Sequence, residues 1–95
     1  MSLVTFSPAA AADLDSIWDY TVEEWGAGQA DRYTDDIRDT CHSLARGEKR
    51  GRDVDVREGY RKHPVGRHFI FFRTTDAGIE VIRIIHQMMD VGRHL

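Results

Sequence analysis

The hydrophobic period of this chain changes near residue 53, and that change constrains its fold more than any other feature. Up to about residue 47, apolar side chains recur every three or four positions, which is typical of amphipathic helices. From about residue 53 onward, apolar and polar positions alternate or form short apolar runs, which indicates strands. A helical half followed by a strand-forming half predicts an α+β fold with helices packed on one face of a sheet.

Turn and capping residues set the limits of the helical half. Leu3–Phe6 is a short β-prone run, and Ser7-Pro8 is typical of a helix N-terminus, because proline has no N–H to satisfy at the first helical position. The first helix should end near Gly26, with Gly26-Ala27-Gly28 as a tight connector, and the second helix should end at Gly47. Because the connector between the helices is short, we expect an antiparallel helical hairpin over about residues 8–47.

The second half predicts three strands. The first runs from Val54 to about Arg61 and is followed by a turn at His63–Gly66, where proline and glycine favour chain reversal. The second covers Arg67–Arg73, and its apolar run predicts a central position in the sheet. The last strand covers Ile79–His86. The predicted order is β-α-α-β-β-β, an N-terminal strand and a helical hairpin packed on a small antiparallel β-sheet.

The chain length suits one domain over residues 1–95, with sheet hairpins at about 53–87 and a C-terminal tail at 88–95. The lone Cys41 cannot form an internal disulfide, and the N-terminus has no basic and apolar leader. No apolar run approaches membrane-spanning length. We therefore expect a cytoplasmic protein without a membrane partner.

The net charge of −3 conceals two oppositely charged halves. Residues 1–45 carry a charge of −7, whereas residues 46–95 carry +4 and four of the five histidines. Arg57, Arg73 and Arg83 are predicted at strand positions, where arginine usually meets a carboxylate or a phosphate. They bind an acidic partner, pair with Glu58 and Glu80 of the sheet itself, or lie at strand ends in water, and the sequence leaves these alternatives open.

His86 and His94 are the candidate titrating groups, since histidine can act as a general acid or base near neutral pH. Together with Arg57, Arg73 and Arg83, His86 would suit RNA cleavage, although a histidine at a strand end is more often structural. His63 and His68 flank the predicted turn and are expected to face solvent. The histidines lack metal-ligand spacing and there is no glycine-rich phosphate loop, so we expect no metal and no cofactor.

Two tryptophans lie seven positions apart on the first helix. Trp18 is expected to pack in the core against the sheet. Trp25, at the tip of the hairpin, could instead be an exposed anchor for a partner. The methionine-containing tail after His86 either caps the sheet or forms an adaptable binding surface.

An ordered set of residues runs through both halves of the chain. The hairpin part consists of Ala12-Asp13-Leu14, Ile17, Tyr20, Trp25-Gly26, Gln29-Ala30 and Tyr33, and the sheet part consists of segments 57–73 and 79–95. This set resembles the toxins of the ParE/RelE toxin–antitoxin superfamily, and ParE-type toxins in particular. The resemblance implies a helical hairpin on a small antiparallel sheet. It also implies a type II toxin that inhibits DNA gyrase and blocks replication, neutralised by a ParD-like antitoxin, a ribbon-helix-helix protein with a disordered C-terminal segment.

RelE-type members of the superfamily are ribosome-dependent mRNA interferases, and this is the alternative function. Arg57, Arg73, Arg83 and His86 lie near the basic and catalytic positions of such enzymes, but no tyrosine follows Tyr60. A net-negative chain is also poorly suited to an RNA surface. The sequence therefore favours a toxin that is not an enzyme and does not bind nucleic acid sequence-specifically.

The resemblance and the charge pattern together suggest two binding surfaces. Arg57, Arg61, Arg73 and Arg83 are the predicted antitoxin-binding residues, because a segment with acidic and apolar residues could cover them and fold as it binds. The predicted target-binding residues are Trp25, His94 and Leu95.

Overall fold

The computed structural model describes residues 2–89 and 91–95, which form five strands and three helices. In chain order these are β1 (Leu3–Phe6), α1 (Pro8–Trp25), α2 (Ala27–Ala45), β2 (Arg52–Asp53), β3 (Tyr60–Val65), β4 (His68–Thr74), β5 (Gly78–His86) and α3 (Val91–His94). The strands form one sheet in the order β1-β5-β4-β3-β2. The predicted α+β fold with a helical hairpin on a small sheet is confirmed.

The helical hairpin begins and ends where local signals predict. Ser7 caps α1, its Oγ accepting a hydrogen bond from the Ala10 N–H at 3.0 Å, and Pro8 is the first helical residue. The predicted three-residue connector is reduced to Gly26, because Ala27 and Gly28 already belong to α2. The φ of Gly26 is 89°, a conformation that glycine adopts without strain. The two helices therefore pack as an antiparallel pair, with one apolar face of each turned to the sheet.

The core lies between the hairpin and one face of the sheet. The central strands β4 and β5 contribute buried aromatic and aliphatic side chains to it, while α1 and α2 contribute small and branched ones. These core residues are Ala10, Leu14, Ile17, Ile37, Cys41, Leu44, Ile70, Phe72, Ile79, Val81 and Ile84. The prediction that the phenylalanine-rich strand is central is confirmed, because β4 pairs with strands on both sides. Burial raises the pKa of the Cys41 thiol to about 12.

The sheet is mixed rather than wholly antiparallel. β1 runs parallel to β5, with Leu3 opposite Gly78 and Phe6 opposite Val81, whereas the other strand pairs are antiparallel. The difference arises because β1 pairs with β5, which is the last strand in chain order and follows the helical hairpin by many residues. A pairing between such distant segments leaves no signal in the local sequence pattern.

The strand predicted at Val54–Arg61 is misplaced. Residues 54–59 form turns, and β3 extends through Pro64 to Val65, so the predicted turn at His63–Gly66 is reduced to Gly66 and Arg67. Proline is tolerated in β3 because β2 is only two residues long and pairs with Arg61 and Lys62. At Pro64 the strand is therefore a free edge, where a missing N–H costs little.

Within residues 2–89 and 91–95, no helix combines the length and the hydrophobicity that crossing a bilayer requires.

Candidate functional site

Two adjoining grooves lie between α1 and the ends of β4 and β5. The first has a volume of about 430 Å³ and the second about 300 Å³, and both are lined by Tyr20, His68 and His86. The first groove continues towards the hairpin tip and is also lined by Thr21, Glu24, Trp25, Gln29, Tyr33, Gly66 and Arg67. The second continues towards the start of α1 and is also lined by Asp13, Ser16, Ile17, Arg83, Ile84 and Met89. Because they share three residues, we describe them together as the helix–sheet groove.

Tyr33 of α2 binds the β3–β4 turn through its hydroxyl group. Its hydroxyl accepts a hydrogen bond from the Arg67 N–H at 3.1 Å and lies 2.6 Å from His68 Nδ1. Gly66 permits this approach, since a Cβ at that position would lie 2.5 Å from Tyr33 Cε1. Burial raises the pKa of Tyr33, so the hydroxyl stays protonated at neutral pH.

His68 is a half-buried residue of this groove, so the expectation that it faces solvent is wrong. Burial, aided by the nearby His86, lowers the pKa of His68 to about 4. The imidazole is therefore neutral at physiological pH. The sequence missed this residue because its burial depends on Tyr33, which lies 35 positions away.

His86 lies directly opposite His68 in the β4–β5 register. The ring centroids are 5.3 Å apart in an edge-to-face arrangement. The Met88 N–H donates to His86 Nδ1 at 3.1 Å, which requires that Nδ1 be unprotonated. His86 is thus a structural partner of the turn that follows β5, in addition to lining the groove. His63 is placed elsewhere, with its Nδ1 3.0 Å from the Arg50 carbonyl oxygen.

Arg83 forms a bidentate ion pair with Asp13 of α1. Arg83 Nε donates to Asp13 Oδ2 and Nη2 donates to Oδ1, both at 2.8 Å, and the two side chains are 25% and 15% exposed. This hydrogen bonding raises the pKa of Arg83 above its ordinary value. The helical period of the sequence could have indicated that Asp13 lies on the buried face of α1. With Ala10, Leu14 and Ile17 it completes the i, i+3, i+4, i+7 positions of the buried helix face.

The other three predicted antitoxin-binding residues, Arg57, Arg61 and Arg73, lie at the β2–β3–β4 side of the sheet and are exposed. Arg73 Nε donates to Glu80 Oε1 at 2.6 Å, as the intra-sheet alternative predicted. Arg61 Nε lies 3.4 Å from Asp53 Oδ1. The prediction that Arg57 lies on a strand is wrong. It lies in the bend before β3, with its guanidinium 5.7 Å from the centre of the Tyr60 ring.

The chain is similar to ParE toxins over nearly its whole length. The sequence profile of the family described as ParE toxin of type II toxin–antitoxin system, parDE, matches residues 4–91. Toxin ParE1 of Mycobacterium tuberculosis is 44% identical over 91 residues, which cover 94% of this chain and 93% of that relative. The protein belongs to the ParE toxin family.

Solved structures agree with this assignment. A chain of the chromosomal ParDE toxin–antitoxin system from P. aeruginosa superimposes with a TM-score of 0.77 at 27% identity, covering 90% of this chain and 96% of that one. A chain of the YoeB–YefM toxin–antitoxin complex from Staphylococcus aureus gives a TM-score of 0.58 at 17% identity, covering 92% and 98% respectively. The second likeness shows the fold alone, which ParE shares with that toxin–antitoxin protein.

In this ParE toxin the four residues of the alternative nuclease site, Arg57, Arg73, Arg83 and His86, do not surround one common site. Arg83 and His86 both line the helix–sheet groove, but the guanidinium of Arg83 is occupied by Asp13. Arg57 and Arg73 line neither part of the groove. Within residues 2–89 and 91–95, no group of three His, Cys, Asp or Glu side chains is arranged to hold a metal ion.

The predicted target-binding residues lie in two separate regions of the toxin. Trp25 is 71% exposed at the hairpin tip. His94 and Leu95 lie in and just after α3, and the His94 carbonyl accepts from Arg83 Nη1 at 3.3 Å. Since Arg83 binds Asp13, twelve residues before Trp25, the two regions are separated by roughly 18 Å along α1.

Trp18 does not lie in the core as the sequence predicted. It is partly exposed, and its indole N–H donates to Asp31 Oδ1 of α2 at 2.9 Å. It therefore links the two helices of the hairpin, and the sheet-facing positions of α1 are occupied by smaller residues. The helical period placed Trp18 one position away from the buried Ile17, but it did not predict the hydrogen bond to Asp31.

Proposed function

We propose that this ParE toxin binds DNA gyrase in the cytoplasm and thereby blocks replication, and that a ParD-like antitoxin neutralises it. The main support for this proposal is the family match over residues 4–91, because the resemblance to ParE toxins implies inhibition of gyrase. The relative from P. aeruginosa belongs to a ParDE system, which supports a ParD-type partner for this chain as well.

Exposed apolar side chains beside the helix–sheet groove are suited to target binding. Trp25 and Tyr20 on α1 are 71% and 65% exposed, and Met88 after β5 is 87% exposed. Large aromatic side chains next to a cavity are the residues that most often dominate a protein interface, and methionine adapts to irregular partners. We therefore propose Trp25 as the principal target contact, with His94 and Leu95 as a second contact region.

The exposed arginines of β3, β4 and the preceding bend are the proposed antitoxin surface. Arg61 and Arg73 are about half exposed, and their ion pairs with Asp53 and Glu80 contribute only about 0–1 kcal/mol each in water. A carboxylate from an antitoxin could replace these partners at small cost. Arg83 is less suited to this role, because breaking its partly buried pair would leave the Asp13 carboxylate uncompensated.

We infer that the toxin acts by binding and not by catalysis. An mRNA interferase would need its cationic residues and its general acid and base around one phosphate. Here Arg57 and Arg73 lie outside the groove that contains His86, which supports the binding mechanism.

A supercoiling assay with the purified toxin tests the proposal. We expect inhibition of gyrase at micromolar toxin, and at least a tenfold weaker effect for Trp25→Ala, since hot-spot residues contribute about 2 kcal/mol or more. Val56→Ala, an exposed apolar residue in the 54–59 turns, is the matched control and should inhibit like the wild type. Absence of inhibition by the wild-type toxin would refute the gyrase target.

A second assay addresses the interferase alternative directly. Translating ribosomes are incubated with the wild-type toxin and with His86→Ala, and the mRNA is mapped for cleavage. We expect no cleavage with either protein. Codon-dependent cleavage that disappears in His86→Ala would establish the nuclease and contradict binding as the mechanism.

A further inference from the structure

Asp13 is a carboxylate on the sheet-facing side of α1. Its side chain is only 15% exposed, and burial of an unpaired carboxylate would be strongly unfavourable. It accepts three hydrogen bonds, two from Arg83 and one from the Ile84 N–H at 2.9 Å. All three donors belong to β5, about 70 positions along the chain. The residue therefore joins α1 to β5 at one defined point.

This point lies just beyond the place where β1 stops pairing with β5. The last β1 pair is Phe6 with Val81, and the Ser7 N–H donates to the Val81 carbonyl at 2.9 Å. Ser7 Oγ donates to the Ile82 carbonyl at 2.6 Å. The next edge group of β5, the Ile84 N–H, is then bound by Asp13. A side chain of α1 thus continues the hydrogen bonding of the β5 edge where β1 has ended.

Arg83 carries the connection from Asp13 to the C-terminal helix. Because its Nε and Nη2 are both held by one carboxylate, the plane of the guanidinium is fixed, and with it the direction of Nη1. Nη1 donates to the His94 carbonyl at 3.3 Å. At the C-terminal end of this helix the Leu95 N–H donates to the Val91 carbonyl at 3.1 Å. Helix α3 also packs on β5.

We propose that Asp13 is a positioning residue for the C-terminal segment, because it holds Arg83 in the orientation that binds the helix carrying His94 and Leu95. The attachment itself follows from these contacts. Its importance for toxicity rests on the proposed function, in which His94 and Leu95 contact the target. The two parts therefore need separate measurements.

The attachment is tested by the rate at which a carboxypeptidase releases Leu95 and His94 from the folded toxin. Hydrogen bonds to charged groups are among the stronger ones, so Asp13→Asn should speed release by roughly tenfold or more. Asp15→Asn, an exposed residue of the same helix, is the matched control and should leave the rate unchanged. Since Asp13 acts through Arg83, the double variant Asp13→Asn/Arg83→Gln should release the tail no faster than Arg83→Gln.

Arg83→Lys keeps a cation beside Asp13 but lacks the planar fork that reaches His94, so it keeps the proposal testable if Asp13→Asn folds poorly. It should fold and release the tail at least tenfold faster. If either variant has a lower melting temperature but releases the tail within twofold of the wild-type rate, Asp13 serves stability alone and the positioning role is refuted.

The link to toxicity is tested by gyrase supercoiling with the same variants. The half-inhibitory concentration of Arg83→Lys should rise at least tenfold, whereas that of Asp15→Asn should not change. A variant with rapid tail release and wild-type inhibition would overturn the link. If the wild-type toxin itself fails to inhibit gyrase, the proposed target is wrong, while the release assay still decides the attachment.

Discussion

The half-buried His68 should make the stability of this toxin depend on pH between about 6.5 and 4. The pKa of His68 falls from 6.5 to about 4 on folding, with burial as the main cause and the neighbouring His86 as the second. Asp13, which lines the same groove, acts in the opposite direction and does not cancel these effects. The unfolded chain therefore binds a proton at a pH where the folded toxin does not.

The sign and size of this effect follow from proton linkage. Above pH 6.5 the stabilisation is fully present, and it is lost as the pH falls towards 4, because protonation favours the unfolded state. With about 1.36 kcal/mol for each pKa unit, the upper limit is about 3.4 kcal/mol. His68 is only half buried, so we take somewhat less than half of this value to allow for solvent screening and expect about 1.5 kcal/mol.

Urea denaturation of the wild-type toxin and of His68→Gln, at intervals from pH 7.5 to pH 4, would measure this contribution. The free energy of unfolding of the wild type should fall by about 1.5 kcal/mol more than that of His68→Gln over this range. Carboxylates titrate in both proteins and cancel in the difference. His42→Gln, in which an exposed histidine of α2 is replaced, should behave like the wild type. Equal pH dependence in the wild type and His68→Gln would refute the reasoning.

Three further predictions concern packing and reactivity. Gly66→Ala should lower the free energy of unfolding by about 1–3 kcal/mol in a denaturant titration, since its Cβ would lie 2.5 Å from the Tyr33 ring and its φ is 54°. At Gly28, where a Cβ meets no described atom within 4 Å, alanine should be neutral or stabilising, and the reverse order would contradict this account. Phe72→Ala should cost about 3–5 kcal/mol by the same titration, because its side chain fills the core, and a loss below about 1 kcal/mol would be inconsistent with that. Cys41 should resist alkylation by iodoacetamide in the folded toxin and react after unfolding, because burial raises its thiol pKa to about 12, and rapid labelling of the native protein would contradict its burial.

The parts of the fold that the sequence predicted correctly depend on neighbouring residues. Ser7-Pro8 and Gly26 set the limits of α1 through capping and backbone conformation, which involve groups within a few positions. The burial of Ile70, Phe71 and Phe72 in β4 is likewise visible as an uninterrupted apolar run. The position of β3 was not predictable in this way. Whether Pro64 ends a strand or lies within one depends on the length of β2, which is a different segment of the chain.

The candidate site was only partly predictable, because its contacts join distant segments. Trp25 and His86 were identified by residue type and by their place at the end of an element. The sequence predicts a solvent-facing turn residue at His68. Its burial requires Tyr33 of α2 and the register that places it opposite His86, and neither is visible in the local pattern. The sequence analysis does not identify Asp13 as a site residue, although its position on the apolar face of α1 is visible in the helical period.

The sequence by itself determined the α+β class, the helical hairpin and the central strand, as well as the resemblance to ParE toxins, because these follow from hydrophobic period, capping chemistry and the order of residue types. Only the tertiary structure decided that β1 joins β5 in parallel, that Arg83 binds Asp13 and not an open surface, and that His68 is neutral in a groove. The physical reason is that strand pairing, ion pairing and burial depend on which distant groups meet, and a local pattern constrains only the groups within a turn or two of it.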